Sequence, residues 1–389
     1  MADTTEGEDL QTVTVSSNGQ VDGEVVYPRA IVKLGGQIVD GWLSWEVTSN
    51  SFYEADTFRV SFVIGDLPDS NNLNWFSTQK EIFVEILAGF PSNHDQPDPS
   101  ELQSLIYGRV DNMDPDLAEG IIDLTGRDLT AVFIDSKITS QYVNKTSSQI
   151  VTTLAGRHAG MTASAQATKT RAGTYYDKDQ VQLQASRSEW DLITYLARKE
   201  GFVAYVSGMT LFFQPNPVDE SNAYDITWEP PSDDNASPSS NTQSLKFSRD
   251  LTVGKGIAVT ARSANFLTGK AVVQSYPSQA KAIQAGKASP FGEVQNFYFN
   301  MSAGHTPVEV EAFAKAQYDI IISHEMKLTA RLPGDNRLSI LTPIKVTGTG
   351  TAWDQTYFPR SITREMSIDA GYEMTVEAQN VNPDSSPES

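Results

Sequence analysis

The feature that most restricts the fold is a two-residue rhythm of apolar side chains, broken every few residues by Gly, Pro, Asn or Asp. In "DTFRVSFVI" (56–64), Phe58, Val60, Phe62 and Ile64 share one face, and Thr57, Arg59, Ser61 and Val63 share the other. Alternation at period two sets one face against a core and leaves the other in water, the pattern of a half-buried strand. The rhythm begins near Arg29, where "AIVKLGGQIVDGWLSWEVTSN" alternates on both sides of Gly35-Gly36, a pair suited to a hairpin turn. "EIFVEILAG", "SLIYGRVDNM" and "GIIDLTGRDL" continue it, with the polar, Pro-rich "FPSNHDQPDPSE" between the first two. Short strands in such succession predict an antiparallel β-barrel or sandwich over residues 25–135, after an aperiodic acidic arm at 1–24.

The period then changes. "TSSQIVTTLAGRHAGM" carries a capping-box pair, Thr146 and Gln149, followed by Ile150, Val151, Leu154 and Ala155 on one helical face, with Gly160 as the stop. "SEWDLITYLARKEGFVAYVSGMTLFFQP" (188–215) repeats the logic. Ser188 and Asp191 pair as caps, Trp190, Ile193, Leu196 and Ala197 form the buried stripe, and Gly201 stands where a C-cap needs positive φ. Trp190 is expected to anchor this helix on the hairpin formed by "FVAYV" and "TLFF" around Ser207-Gly208-Met209. Residues 136–228 therefore read as a small α/β domain, and the Pro/Ser-rich 229–243 as a linker. Strand patterns return from 244 to 380 as a second barrel, interrupted by a loop and helix at about 265–324 that starts at Thr306, Pro307 and Glu309. Residues 381–389 are tail. The fold class is mainly β with an α+β insert.

Composition limits the chemistry. The 389 residues include no cysteine, which excludes disulfides, thiolate nucleophiles and Cys-ligated metals and fits assembly in a reducing cytoplasm. No apolar run approaches the roughly 20 residues of a membrane-crossing helix, and the polar N-terminus does not read as a signal peptide. The net charge of −20 is concentrated: residues 1–130 hold 6 Lys/Arg and 23 Asp/Glu. Such an acidic segment opposes phosphate binding and suits either solubility or a surface that DNA passes without sticking.

No reactive constellation stands out. His94, His158, His305 and His324 lack metal-ligand spacing, and "HEMKL" at 324 has no second His. "DNMDPD" (Asp111, Asp114, Asp116) departs from the calcium-loop pattern and is expected to be a solvated turn. "VGKGI" and "GTGT" do not match phosphate loops, and there is no G-x-S-x-G elbow. Trp42, Trp45, Trp75, Tyr205 and Phe212 lie in strand or helix stripes and read as packing residues. No catalytic, cofactor-binding or metal residue is assigned; the singled-out residues Ser188, Trp190, Asp191 and Gly201 are structural.

Taken in order, several segments resemble the late control protein D family, the baseplate hub proteins of contractile-tailed phages. "GRVDNMDPDLAEGIIDLTGRDLTAVFID" (108–135) is similar to the family's Gly-x-Val-Asp strand, turn and Gly-Arg-Asp-Leu strand. "SSQIVTTLAGRHAGM" resembles its following helix, and 188–215 its Trp-Asp helix and hairpin. "SLKFSRDLTVGKGIAVTARS" and "GTGTAWDQTYFPRSITREMSIDAGYEMTVEAQN" extend the likeness over about residues 25–382, although Arg364 stands where the family often has His. The resemblance implies two tail-tube-like barrels per chain flanking an α/β domain, in a homotrimer that forms a pseudo-sixfold ring. Its implied partners are the hexameric tail tube protein, the central spike protein and other baseplate proteins. DNA would pass through the channel without specific binding, and the location would be the virion tail baseplate, assembled in the bacterial host cytoplasm. Alternatives are a tailocin or type VI-like hub, a tail-associated hydrolase and a carbohydrate-binding β module.

Overall fold

A computed structural model describes residues 27–93, 95–137, 142, 144–169, 188–233, 237–251, 257–264, 269–277, 295–301, 303–322 and 326–380, with the strand backbones of 14–15 and 21–22. The chain divides into two units. The first comprises Met1–Val47, Thr57–Asp128 and Glu365–Tyr372, and the second Thr48–Asp56, Leu129–Arg364 and Glu373–Ser389.

The first unit is built on β-strands. A two-residue ladder, β1 (Thr14–Val15) and β2 (Val21–Asp22), precedes β3 (Arg29–Leu34), β4 (Gln37–Ile38), β5 (Trp42–Asn50) and β6 (Thr57–Val63). A short helix α1 (Leu73–Thr78), capped by the Asn72 side chain, leads to β7 (Phe83–Gly89), β8 (Gln103–Asp116) and β9 (Ile121–Asp128). The strands lie in the order β5-β6-β9-β8-β7-β3-β4. The alternation of β6 is realised: Phe58, Val60 and Phe62 are buried with Val32, Val47, Val84, Ile86, Ile122 and Leu124 in one core, while Thr57 and Arg59 are exposed. Trp45 lies in this core against Tyr372, and Trp42 and Trp75 pack on its border.

Two glycines make room in it. Phe58 pairs directly with Gly126 across β6 and β9, and its ring occupies the space that a side chain at Gly126 or Gly108 would need. A Cβ on Gly126 would stand 2.7 Å from the ring, and one on Gly108 2.9 Å. The strand "DNMDPD", expected to turn, instead continues β8 to Asp116, because β9 pairs with it along its whole outer half; the turn comes at 117–120. Pro115 is tolerated there because β7 pairs with β8 only as far as Arg109.

The second unit holds three groups of elements. Helices α2 (Thr130–Asp135), α3 (Ser147–Ala155) and α4 (Glu189–Glu200) accompany the sheet β10 (Thr162–Ala165), β11 (Phe202–Ser207) and β12 (Thr210–Pro215), in the order β10-β12-β11. Helix α3 begins at the Thr146–Gln149 capping box, but it ends at Gly156 and not at Gly160, which has φ 80° in the following turn. Gly156, without a side chain, closes the last turn by donating to the Thr152 carbonyl at 3.1 Å.

The second group contains β13 (Tyr224–Glu229), β14 (Ser239–Ser240) and β15 (Ser244–Arg249). The third inserts β16 (Ile257–Ala264), β17 (Ala271–Tyr276), β18 (Gln295–Asn300) and α5 (Pro307–Ile322). β19 (Met326–Pro333), β20 (Ile344–Thr347), β21 (Thr356–Ser367) and β22 (Gly371–Gln379) then complete the second group. β13 lies between β14 and β20, and β19 between β15 and β22. Their inward residues, among them Ile226, Leu328, Ala330, Ile344, Tyr357, Met374 and Val376, form its core. In the insert, Val310, Ala314, Tyr318 and Ile322 of α5 cover Ile257, Val259 and Ala261 of β16.

Two further details differ from the expectation. β17 falls inside the stretch expected to be loop, because its outward residues include Val273 and its pattern is too short to stand out. The strands are also not all antiparallel: β10–β12, β13–β20 and β16–β18 run parallel. Each parallel pair joins strands separated by intervening elements, as parallel pairing requires. The architecture as a whole is mainly β with a small α/β insert.

Candidate functional site

Helix α4 organises a dense set of side-chain contacts among the described residues of the second unit. Its N-terminus is closed reciprocally: Asp191 N donates to Ser188 Oγ at 3.1 Å, and Ser188 N donates to Asp191 Oδ2 at 2.8 Å. Gly201 ends it in the left-handed region at φ 69°, a conformation open to glycine at little cost. Trp190 is buried, and its indole Nε1 donates to the Tyr53 carbonyl at 2.8 Å. The indole therefore reaches the β5–β6 connection, Ser51–Asp56, while its ring centroid lies 6.4 Å from that of Phe133 in α2.

Tyr53 is held from every side. Its N–H donates to the Ala204 carbonyl at 3.0 Å and its hydroxyl to the Phe202 carbonyl at 2.7 Å. The Arg198 guanidinium lies 4.9 Å from its ring centroid. Burial pushes the phenol pKa up, partly offset by Arg198. The residue has φ 77°, an unfavourable setting for an aromatic side chain that these contacts compensate. Phe52 packs on Tyr205, which stacks on Phe212 with centroids 4.9 Å apart.

Asp56 closes the same connection by accepting from Asn50 N at 2.7 Å, while Asn50 Nδ2 donates to the Ala55 carbonyl at 2.8 Å. Burial pushes the Asp56 carboxyl up to about 7, against the opposing effects of the Asn50 N–H and the Arg364 charge. Arg364 is buried and donates to the Leu338 carbonyl. Tyr53, Asp56 and the role of Arg364 escaped the sequence reading, since "NSFYEAD" looks like any polar turn between strands. The positive φ of a tyrosine leaves no trace in composition.

The same helix carries the one fully buried carboxylate among the described residues. Glu189 is fully buried, with Oε2 2.7 Å from His158 Nε2 and Oε1 2.7 Å from an Arg157 nitrogen. Phe133 meets the imidazole edge-on at 4.9 Å between centroids. This trio ties the end of α3 to the first turn of α4. Among the described residues no hydroxyl is bonded to His158, and no group of three or more His, Asp or Glu is placed to hold a metal. His305 lies 3.6 Å from Glu309 at the start of α5, whereas His94 and His324 fall outside the described residues.

A second feature is the polar face of β6, β8 and β9. Arg59 donates to Asp123 at 2.6 Å, and Ser61 donates to the other oxygen. Burial would raise the Asp123 pKa, but the hydrogen bonds and charge from Arg59 and the Ser61 hydroxyl hold it below the usual carboxylate range. Arg127 forks onto Asp111 at 2.5 and 2.9 Å. Asp114 stands directly opposite Asp123 in the ladder. On this face acids and arginines interleave with a small acidic balance.

Two β-rich units, the second holding a capped helix with its hairpin, form a fold that solved tail proteins and a type VI secretion component share. The tail protein from Neisseria meningitidis MC58 is 15% identical with a TM-score of 0.65, over 92% of this chain and 99% of that one. The 43 kDa tail protein of prophage MuSo2 from Shewanella oneidensis is 16% identical with a TM-score of 0.66, over 92% and 99%. An E. coli type VI secretion component, described as structurally similar to the T4 tail proteins gp27 and gp5, is 12% identical with a TM-score of 0.50, over 91% and 77%. No family model matches the chain, and no curated protein matches it in sequence. At these identities the likeness is one of fold.

Proposed function

We propose that this chain is a structural baseplate hub subunit of a contractile phage tail. The observation that carries the reading is likeness along nearly the full length of two tail proteins, one of them from a prophage, over 92% of this chain and 99% of each of them. On this reading three copies close a pseudo-sixfold ring, with a hexameric tail tube on one side and a trimeric spike on the other. Ser188, Trp190, Asp191 and Gly201 serve it structurally, by fixing the α/β module to the β5–β6 connection. The acidic face of β6, β8 and β9 lines the passage for DNA, where repulsion keeps phosphates from sticking. The chain performs no catalysis in this role.

Light scattering on the purified chain, with negative-stain imaging, tests the proposal. The expected result is a three-membered ring with an open channel, formed alone or on addition of the spike protein. A monomer at high concentration under both conditions would overturn it. The type VI-like fold neighbour favours a second reading, a hub of a secretion machine. Co-purification separates the two: a phage tail tube captured by the hub supports the first, and a secretion tube the second.

A further inference from the structure

We infer that copies of this chain join head to tail through two sheet edges of opposite charge, the outer half of β8 on one copy and β15 on the next. The inference rests on the ring-forming role proposed above and names the surfaces that close it.

Both edges have one side without a strand. β8 pairs with β7 only from Gln103 to Arg109 and with β9 from Gly108 to Asp116, so its outer half has a single neighbour among the described strands. Among the described strands, β15 pairs only with β19. A row of backbone donors and acceptors with no partner is a template for another strand, and natural sheets control such edges with charge.

The charges on the two edges are complementary. Asp114 and Asp116 are exposed on β8, and neither has a cationic partner among the described residues. On β15 the exposed Lys246 shares a sheet face with Lys327 of β19, as the pairing of Ser248 with Lys327 and of Lys246 with Thr329 dictates. Neither lysine has an acidic partner among the described residues.

Contact between like edges would oppose Asp to Asp or Lys to Lys. Contact between unlike edges neutralises both. Charge thus disfavours a two-fold dimer and selects a heterologous contact, the kind that closes rings. Pro115 removes one backbone donor from β8, which leaves side-chain charge a larger share in choosing the partner.

Charge reversal with rescue tests this on the full chain. Asp114→Lys with Asp116→Lys, and separately Lys246→Glu with Lys327→Glu, are each expected to abolish the assembled species at the concentration where the unaltered chain assembles. All four changes together are expected to restore it, and added salt should weaken the unaltered assembly. Circular dichroism melting checks that each variant is folded. Reversals that leave the assembled mass unchanged, or a folded fourfold variant that stays dissociated, would overturn the edge pairing while the hub reading stands. An unaltered chain that never assembles, even with the spike, would instead remove the hub reading itself.

Discussion

Asp56 shows how much a single carboxyl can be asked to do inside a turn. It accepts the Asn50 N–H at 2.7 Å, yet burial pushes its pKa up to about 7. Its ordinary value is 3.8, so between about pH 4 and pH 7 the folded chain holds a proton that the unfolded chain has released. Folding is then favoured at the lower pH, and Asp56 withdraws stability as pH rises through about 7. Other carboxyls, Asp123, Asp335 and Asp354 among them, are held low and act in the opposite sense at acid pH. Asp56→Asn isolates the effect, since the amide oxygen still accepts from Asn50. Urea midpoints at pH 5 and pH 8 are the measurement. The unaltered chain should lose on the order of 1–2 kcal/mol relative to Asp56→Asn over that interval, less than the full shift because the residue is partly solvated. Parallel curves for the two proteins would refute the assignment. Nothing in "NSFYEAD" announces this carboxyl, because its burial depends on strands and helices far along the chain.

At the scale of elements, local signals proved readable where the interaction itself is local. The capping boxes at Thr146 and Ser188 both form, as does the Thr306–Glu309 pair at the start of α5. The alternation of β6 places Phe58, Val60 and Phe62 in the core as expected, whereas Ile64 follows the strand and only borders the core. The outer half of β8 was misread because Asp and Pro favour turns in isolation, while pairing with β9 overrides them. The glycines of "GRVD" and "TGRD" have a reason that sequence alone could not supply. They flank the Phe58 ring, and a Cβ on Gly126 would also fall 2.1 Å from the Arg109 carbonyl. Gly126→Ala should therefore cost about 1–3 kcal/mol or more by overpacking, read as a lowered melting temperature. Phe58→Leu in that background should recover part of the loss, because it withdraws the ring but not the carbonyl. Full stability of Gly126→Ala alone would show that the strand pair can spread to admit a methyl group.

For the whole molecule, the order of β, α/β and β regions and the acidity of the first third were legible, because both are properties of contiguous sequence. Which strands are left with an open side was not, because pairing such as β15 with β19 or β13 with β20 joins segments remote along the chain. The charge balance still yields a prediction about DNA. Residues 1–130 carry 23 acidic and 6 basic side chains, and Arg59 and Arg127 are committed to Asp123 and Asp111. Affinity for a duplex grows with the number of phosphates neutralised, so a face whose arginines are already spent offers little to replace counterions. The assembled protein should then bind duplex DNA no tighter than the weak end of the non-specific range, about 10⁻⁴ M at physiological salt. Glu46→Lys with Glu119→Lys converts two exposed acids of this unit to bases, the first of them close enough to Arg59 to act on its charge. The double variant should retain DNA roughly tenfold or more tightly in a gel-shift assay, with an affinity that falls steeply as salt rises. Tight, salt-sensitive binding by the unaltered protein would mean that its basic side chains, not its acids, face the nucleic acid, and the repulsive channel would have to be given up.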